Sequence, residues 1–448
     1  MEKIKGVFYF CLAAVALLLL FRLDAYLMDY DEGDLYLYPS MLVNEFGMKP
    51  YKDFTYTQPP LLLYLIKDIF TGRMISVVCV GVMTLGVFLI GRKFGVGYYA
   101  GVFAAACPLV IMYGRLAVGD IPLMAAFSLV LYPIVEGFKS KKTMILIGVM
   151  MWFAFMMKIQ IMIPIGLLFL FLFVVMGEME YILPMIVFII LIIGAEFYFP
   201  GMISSIIFNN TPNFDIVRAV SYLVMALVNF VVKANILVMF SLYGIYKYAL
   251  RKERKYYILL VCLMSGVITA LLYSWINYRH FMYLIPVLAV YAGLGLKHLK
   301  TKELAVCVMV FSLFACLPVW SKTTTYDSTT REISNNIFDA VKSGLIYTDQ
   351  PMIAYMSHSK MPDTATLWNG MGRLRGLSVD DVKKDIDRRN PMMVLLVTST
   401  PDNMEQPRIT STFGSNGSKD IIDYLDKRYP KKDYYRRDYQ LIRIWKYV

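Results

Sequence analysis

Histidine is scarce in this chain, with three residues (His280, His298 and His358) among 448. That argues against a histidine-rich metal site. The six cysteines (11, 79, 107, 262, 307 and 316) lie in or beside apolar runs and form no CxxC or Cys/His cluster. A disulfide framework and structural zinc are therefore not expected. No internal repeat and no low-complexity tract is visible. Charge is sparse as well, at 17% of residues against 58% hydrophobic. With a mean hydropathy of +0.56, the chain is too apolar for a soluble protein of its size and reads as a multi-span membrane protein. Its net charge of +12, from 45 basic and 33 acidic residues, would suit nucleic acid. The basic residues, however, cluster in short loops between apolar runs, where the positive-inside rule accounts for many of them, and no nucleic-acid partner is expected.

Apolar runs predict about eleven spans, near 7–23, 73–90, 97–113, 121–137, 143–157, 160–176, 181–199, 232–250, 256–275, 281–296 and 303–319. The first follows Lys3 and Lys5 and lacks a small-residue cleavage site after it, so it reads as a retained span with a cytoplasmic amino terminus. Arg92-Lys93, Lys139 to Lys142, Arg251 to Lys255 and Lys297 to Lys302 then all fall inside. Residues 59–70 are too short to cross a hydrocarbon layer of about 30 Å and are expected to lie along or dip into the outer surface. After Trp320 the chain turns polar. Apolar runs at Leu345–Tyr347, Met352–Tyr355, Met393–Val397 and Leu441–Trp445 alternate with helical patterns near 329–343, 379–389 and 419–428. The expected organisation is a membrane module over 1–320, with a first outer loop at 24–58, and a small extracytoplasmic α/β domain over 321–448. Asn209-Asn210-Thr211 and Asn416-Gly417-Ser418 fit the N-glycosylation pattern on the outer side.

Within the first outer loop, Asp29, Asp31, Glu32 and Asp34 place four carboxylates in six positions. A short amphipathic run follows, with Leu35, Leu42, Val43 and Phe46 on one face, until Gly47 and Pro50 break it. Tyr30, Tyr36, Tyr38, Tyr51 and Tyr56 are interleaved and suit the headgroup layer. Two further polar clusters share the predicted outer face: Arg115 through Asp120-Ile121-Pro122, and Asn277-Tyr278-Arg279-His280. Lys158 and Gln58 are candidates to join them. Ionisable groups at the mouth of a membrane bundle are expensive and suggest function by default. Each also has a plainer reading: a solvated loop for Asp31-Glu32, an Arg115–Asp120 ion pair, Arg279 reaching to headgroups, and Lys158 as an interfacial anchor.

These residues carry a family resemblance. Asp31-Glu32-Gly33, then Gly47-Met48-Lys49-Pro50-Tyr51-Lys52-Asp53, then Gln58-Pro59-Pro60-Leu61-Leu62, resemble the polyprenyl-phosphate-sugar-dependent glycosyltransferases of the GT-C fold. Within them the protein O-mannosyltransferase and aminoarabinose-transferase relatives are most similar. Arg115…Asp120-Ile121-Pro122 resembles a second outer motif of that family, and Tyr278-Arg279-His280-Phe281…Pro286 a later one. The resemblance implies Asp31 as catalytic base with Glu32 beside it, and Asp120 as the second acid. Thr57-Gln58-Pro59-Pro60 departs from the Glu-Lys-Pro-Pro of aminoarabinose transferases, so that segment's metal-binding and phosphate-binding roles, and that substrate, do not carry over.

The expected function is transfer of a sugar from a polyprenyl phosphate to a protein, lipid or glycan acceptor outside the membrane. Arg115, Arg279 and Lys158 would hold the phosphate, with Tyr278, His280, Gln58 and Tyr56 lining the substrate. Displacement at the anomeric carbon predicts inversion. A divalent ion bridged by Asp31 and Asp120 is compatible with this chemistry but not required by it. Two other classes stay open. A secondary transporter would show helices broken at the midplane in related halves, and a membrane-anchored binding or scaffold protein would make Asp31 dispensable.

Overall fold

The computed structural model describes residues 2–21, 23, 32–54, 56–210, 216–272, 278–299, 301–318, 320, 335, 345–348, 351–361, 379–389, 391, 393–399, 408–409, 415–429, 431–437 and 440–446. Asp29, Tyr30, Asp31, Thr211, Asn277 and the pattern at 329–343, apart from residue 335, lie outside them, as does the side chain of Asp34.

The described chain is mostly helical. Its membrane part runs α1 (Glu2–Leu20), α2 (Tyr38–Asn44, entered through a π-turn at Gly33–Leu37), α3 (Leu61–Leu65), α4 (Ile69–Lys93), α5 (Gly97–Ala105), α6 (Pro108–Tyr113), α7 (Asp120–Glu136) and α8 (Lys141–Met157). It continues with α9 (Met162–Leu170), α10 (Ile182–Tyr198), α11 (Met202–Asn210), α12 (Ile216–Lys233), α13 (Asn235–Tyr248), α14 (Arg254–Leu272), α15 (Ile285–Leu296) and α16 (Lys302–Phe314). Local chemistry sets several of these ends. The Asp68 carboxylate accepts the Thr71 N–H at 2.6 Å and caps α4, and Ser140 caps α8 through the Thr143 N–H. Gly137, at φ 78°, takes the left-handed turn that closes α7.

Among the described residues three helical stretches, Ile69–Lys93, Met179–Tyr198 and Tyr278–Leu296, are long and apolar enough to cross a membrane. Leu223–Lys233 and Asn235–Tyr248 would cross together but are bent by 101° at their junction. Side chains such as Ile186, Ile190, Phe197, Val224 and Val228 are exposed, as lipid-facing surfaces require. The chain is thus a multi-pass helical membrane protein. The expected run at 97–113 is two helices, because Pro108 starts α6 after the break at Cys107. The run at 232–250 starts on the wrong side of a bend, since α12 carries its own apolar face into Lys233.

One end of the bundle is tied by partly exposed ion pairs. Arg254 holds Glu178 through two contacts of 2.7 Å and donates to the Ile134 carbonyl, and Lys93 pairs with Glu136 at 2.8 Å. The outer-loop residues, Asp120, Lys158 and Arg279 lie at the opposite end.

Beyond residue 345, α17 (Pro351–Met356), α18 (Val379–Arg389) and α19 (Ser415–Arg428) accompany a five-stranded sheet. Its strands are β1 (Ile346–Thr348), β2 (Met393–Ser399), β3 (Arg408–Ile409), β4 (Lys431–Arg437) and β5 (Gln440–Lys446), in the order β1-β2-β5-β4 with β3 also on β2. β1 and β2 are parallel, whereas β2–β5 and β4–β5 are antiparallel, with Val394 opposite Trp445. β4 (KKDYYRR) has no apolar alternation in its sequence and ends the strand order β1-β2-β5-β4. Met352–Tyr355 corrects the strand-like expectation: Pro351 opens a helix there, with Ile353 and Ala354 buried. Between α18 and α19, the Tyr424 hydroxyl donates to Asp387 at 2.6 Å; burial and that bond raise its pKa.

The sheet's core is completed by the outer loop. Tyr38, Met41, Leu42, Phe54 and Leu63 pack in one cluster with Ile346, Ile353, Val394 and Leu425. This corrects two expectations. The run after the acids does not bury a single face at Leu35, Leu42, Val43 and Phe46. Tyr36 through Leu42 are buried continuously, because bundle and sheet cover both sides. Tyr36, Tyr38 and Tyr56 are accordingly core residues and not headgroup-layer rings. A Cβ on Gly33 would stand 3.0 Å from the Met352 backbone nitrogen and Cβ, a contact that α17 would have to yield to by a few tenths of an ångström. The Tyr38 hydroxyl accepts the Met361 N–H at 2.6 Å. Tyr38→Phe leaves that buried amide unpaired and is expected to lower stability by about 1–3 kcal/mol, read as a lower melting temperature in detergent; an unchanged melting curve would show that the bond contributes nothing.

Candidate active site

Asp120 opens α7 at the mouth of the bundle, in the first turn, where the helix dipole favours a carboxylate. It is 2% exposed and holds two cations. Lys158 Nζ donates to its Oδ1 at 2.6 Å, and Arg279 Nη2 donates to its Oδ2 at 2.6 Å. Lys158 caps α8 just before a 3-10 turn at Ile159–Ile161, and Arg279 sits in the 3-10 turn Tyr278–Leu284 that leads into α15. Both turns aim side chains across the mouth that a continuous helix would aim along its flank. Both cations are buried. Lys158 is therefore not an interfacial anchor, and Arg279 does not reach to headgroups.

An aromatic pair extends the cluster. The Arg279 guanidinium stacks 4.5 Å over the Tyr113 ring. The Tyr113 and Tyr278 hydroxyls are 2.7 Å apart, and Lys233 Nζ lies 4.8 Å over the Tyr278 ring. His280 follows in the same turn and is half-buried.

Glu32 anchors the outer loop from the other side. It is fully buried, and Arg73 grips it with two hydrogen bonds, Nε to Oε1 at 2.9 Å and Nη2 to Oε2 at 2.8 Å. Its Oε1 also accepts the Ala117 N–H at 2.7 Å, and Arg73 Nη1 donates to the Leu23 carbonyl at 2.6 Å. One carboxylate thus ties the acid loop to α4 and to the segment three residues before Asp120. Gly72 permits this closeness, for a Cβ there would stand 2.6 Å from the Ala117 Cβ.

Arg115 does not pair with Asp120. Its guanidinium donates to the carbonyls of Leu18 and Leu19 at the end of α1, beside the Trp320 indole N–H on Leu18. Tyr56 packs against Tyr51 and Phe54 and donates to the Leu35 carbonyl at 2.8 Å, which turns its ring away from an open face. The Gln58 backbone carbonyl accepts from Tyr51 at 2.5 Å. The side-chain oxygens of Gln58 and Gln160 are buried without a hydrogen-bond partner among the described residues. Asp31, one position before Glu32, is outside the described residues.

Among the described residues no three His, Cys, Asp or Glu side chains converge. Both Asp120 oxygens accept from cations, and both Glu32 oxygens from Arg73, one of them also from an amide. Sequence reading missed Arg73, Tyr113, Gln160 and Lys233. Arg73 carried a signal, as a cation in an otherwise apolar run, but it was set at a span boundary. Tyr113 and Lys233 also sat at expected span ends, where belt and anchor roles account for such residues.

Residues 58–199 match the family described as dolichyl-phosphate-mannose-protein mannosyltransferase. The structure of ArnT from Cupriavidus metallidurans bound to undecaprenyl phosphate is similar, with a TM-score of 0.67, 12% identity and 98% of each chain covered. Its apo form gives the same values. The oligosaccharyltransferase of Archaeoglobus fulgidus is similar at a TM-score of 0.59 and 10% identity, over 96% of this chain and 79% of that one. No curated protein matches the sequence. The fold is GT-C. The family match and the fold together indicate a glycosyltransferase.

Proposed function

We propose that the protein moves a sugar from a polyprenyl phosphate to an acceptor hydroxyl at the end of the bundle that carries Asp120. The observation that carries this reading is the buried Lys158–Asp120–Arg279 cluster. One carboxylate orients two cations without cancelling their charge, which leaves a net positive, preorganised mouth for a phosphate. An ammonium has three N–H donors and a guanidinium five, so each cation retains capacity beyond the bond it gives Asp120. The family match over 58–199 supports the donor class, as does the likeness to a protein whose structure holds undecaprenyl phosphate.

In the proposed step Asp31 takes the proton of the acceptor hydroxyl. The acceptor oxygen forms a bond to the anomeric carbon, from the face opposite the phosphate. The sugar–phosphate C–O bond breaks with its electron pair going to the phosphate, and the configuration inverts. Lys158 and Arg279 stabilise the growing charge on the departing phosphate. Asp120 positions them, Glu32 positions the loop that carries Asp31, and the unpaired oxygens of Gln58 and Gln160 accept from sugar hydroxyls, where a buried acceptor otherwise stays unsatisfied. The amino terminus and the end that carries Arg254 and Lys93, rich in basic residues, face the cytoplasm, which sets the mouth and the sheet outside.

The test is transfer of label from polyprenyl-phosphate sugars to cell-envelope acceptors in purified membranes. Wild type is expected to transfer, and Asp31→Asn to lose at least about 10²-fold in rate while keeping its melting temperature, the scale of general-base catalysis. Equal rates in both would place the base elsewhere. No transfer from any donor would overturn the reading.

A further inference from the structure

α12 and α13 meet at a bend of 101°. α12 turns Ala226 and Phe230 inward, with Phe230 against Phe281 at 5.9 Å. It exposes Val224, Met225, Leu227, Val228, Val231 and Val232, an apolar face suited to lipid. Its last residue before the bend is a cation, Lys233, which is half-buried. A lysine that only anchored the helix would extend outward to headgroups. Lys233 instead lies over the Tyr278 ring, and no carboxylate pairs with it among the described residues. An ionisable group at the break of a membrane helix marks a ligand site by default.

The Tyr278–Tyr113 hydroxyl bond and the Arg279 stack on Tyr113 make one connected chain from Lys233 to Arg279, Asp120 and Lys158. Three cations and one carboxylate therefore border the same mouth. We infer that Lys233 is a third phosphate-binding residue, held over Tyr278 by the bend and donating to the phosphate of the lipid-linked donor. Its ammonium is drawn from the ring to the anion because a formal charge outweighs a ring quadrupole. The inference rests on the proposed donor class.

The experiment measures binding of undecaprenyl phosphate and of undecaprenol to the full chain in phosphatidylcholine nanodiscs, for wild type, Lys233→Met and Lys233→Arg. The expected result is binding by wild type, about tenfold weaker binding of the phosphate by Lys233→Met, the scale of one charge-assisted contact, and recovery of most of the affinity in Lys233→Arg. Affinity for undecaprenol stays equal in all three, which also shows that the methionine variant is folded. In the transfer assay the loss falls on donor KM more than on kcat. Equal phosphate affinity in wild type and Lys233→Met would overturn the inference while leaving the transferase reading intact. A loss seen only in phosphatidylglycerol nanodiscs would overturn it too, by making Lys233 a phospholipid-headgroup contact. Failure of wild type to bind undecaprenyl phosphate or to transfer from any donor would instead sink both.

Discussion

Asp120→Ala is expected to abolish transfer and to lower the unfolding free energy by about 3–5 kcal/mol, the scale for breaking a buried ion pair from one side. The reasoning is electrostatic. Lys158 and Arg279 are both buried and both rely on this carboxylate at 2.6 Å. Without it, two like charges face each other in a poorly solvated mouth. The cations would then turn toward water or admit anions without orientation, and the geometry on the departing phosphate is lost. Detergent melting curves read the first effect and label transfer the second. Undecaprenyl phosphate or high phosphate should recover part of the stability, since a bound anion compensates the cations. A variant as stable and as active as wild type would remove Asp120 from the site altogether.

Glu32→Gln should be comparably damaging. Its neutral amide removes the charge that faces Arg73, while the guanidinium stays buried beside the Leu23 carbonyl it donates to at 2.6 Å. A loss of about 3–5 kcal/mol follows, together with a fall in kcat as the neighbouring Asp31 loses its anchor. The partner substitution separates the two effects. Glu32→Leu combined with Arg73→Met should be more stable than Glu32→Gln, because no unpaired charge is left buried, yet it should stay poorly active, because Ala117 and the acid loop are no longer tied together. Full activity in the double variant would show that Glu32 serves stability alone. Full activity with full stability in Glu32→Gln would show that it serves neither.

Asp31 and Glu32 read as neighbouring carboxylates of one solvated loop, with Asp31 the implied base; burial and a two-point grip by Arg73 make Glu32 a fixed strut. Likewise Arg115 and Asp120, five positions apart, invited pairing. The turn at 114–119 separates them, sending Arg115 to the end of α1 and Asp120 to partners 38 and 159 positions away. Lys158 and Arg279 were visible as isolated cations between apolar runs, and their shared sidedness was legible from the positive-inside rule. Their meeting on one carboxylate was not.

The sequence by itself determined the class of this protein. Runs of apolar residues long enough for a bilayer, basic turns on one side and a cluster of acids after the first run are one-dimensional signals, because the membrane acts on each segment separately. The strands at Met393–Ser399 and Gln440–Lys446 were legible for a similar reason, since alternation reports a local pleat. Tertiary structure alone decided which charges touch. Glu32 to Arg73, Asp120 to Lys158 and Arg279, and Lys233 to Tyr278 are fixed by 3-10 turns at 159–161 and 278–284 and by the bend at Ala234. Such breaks depend on how neighbouring helices resatisfy the freed backbone groups, so no local pattern encodes them.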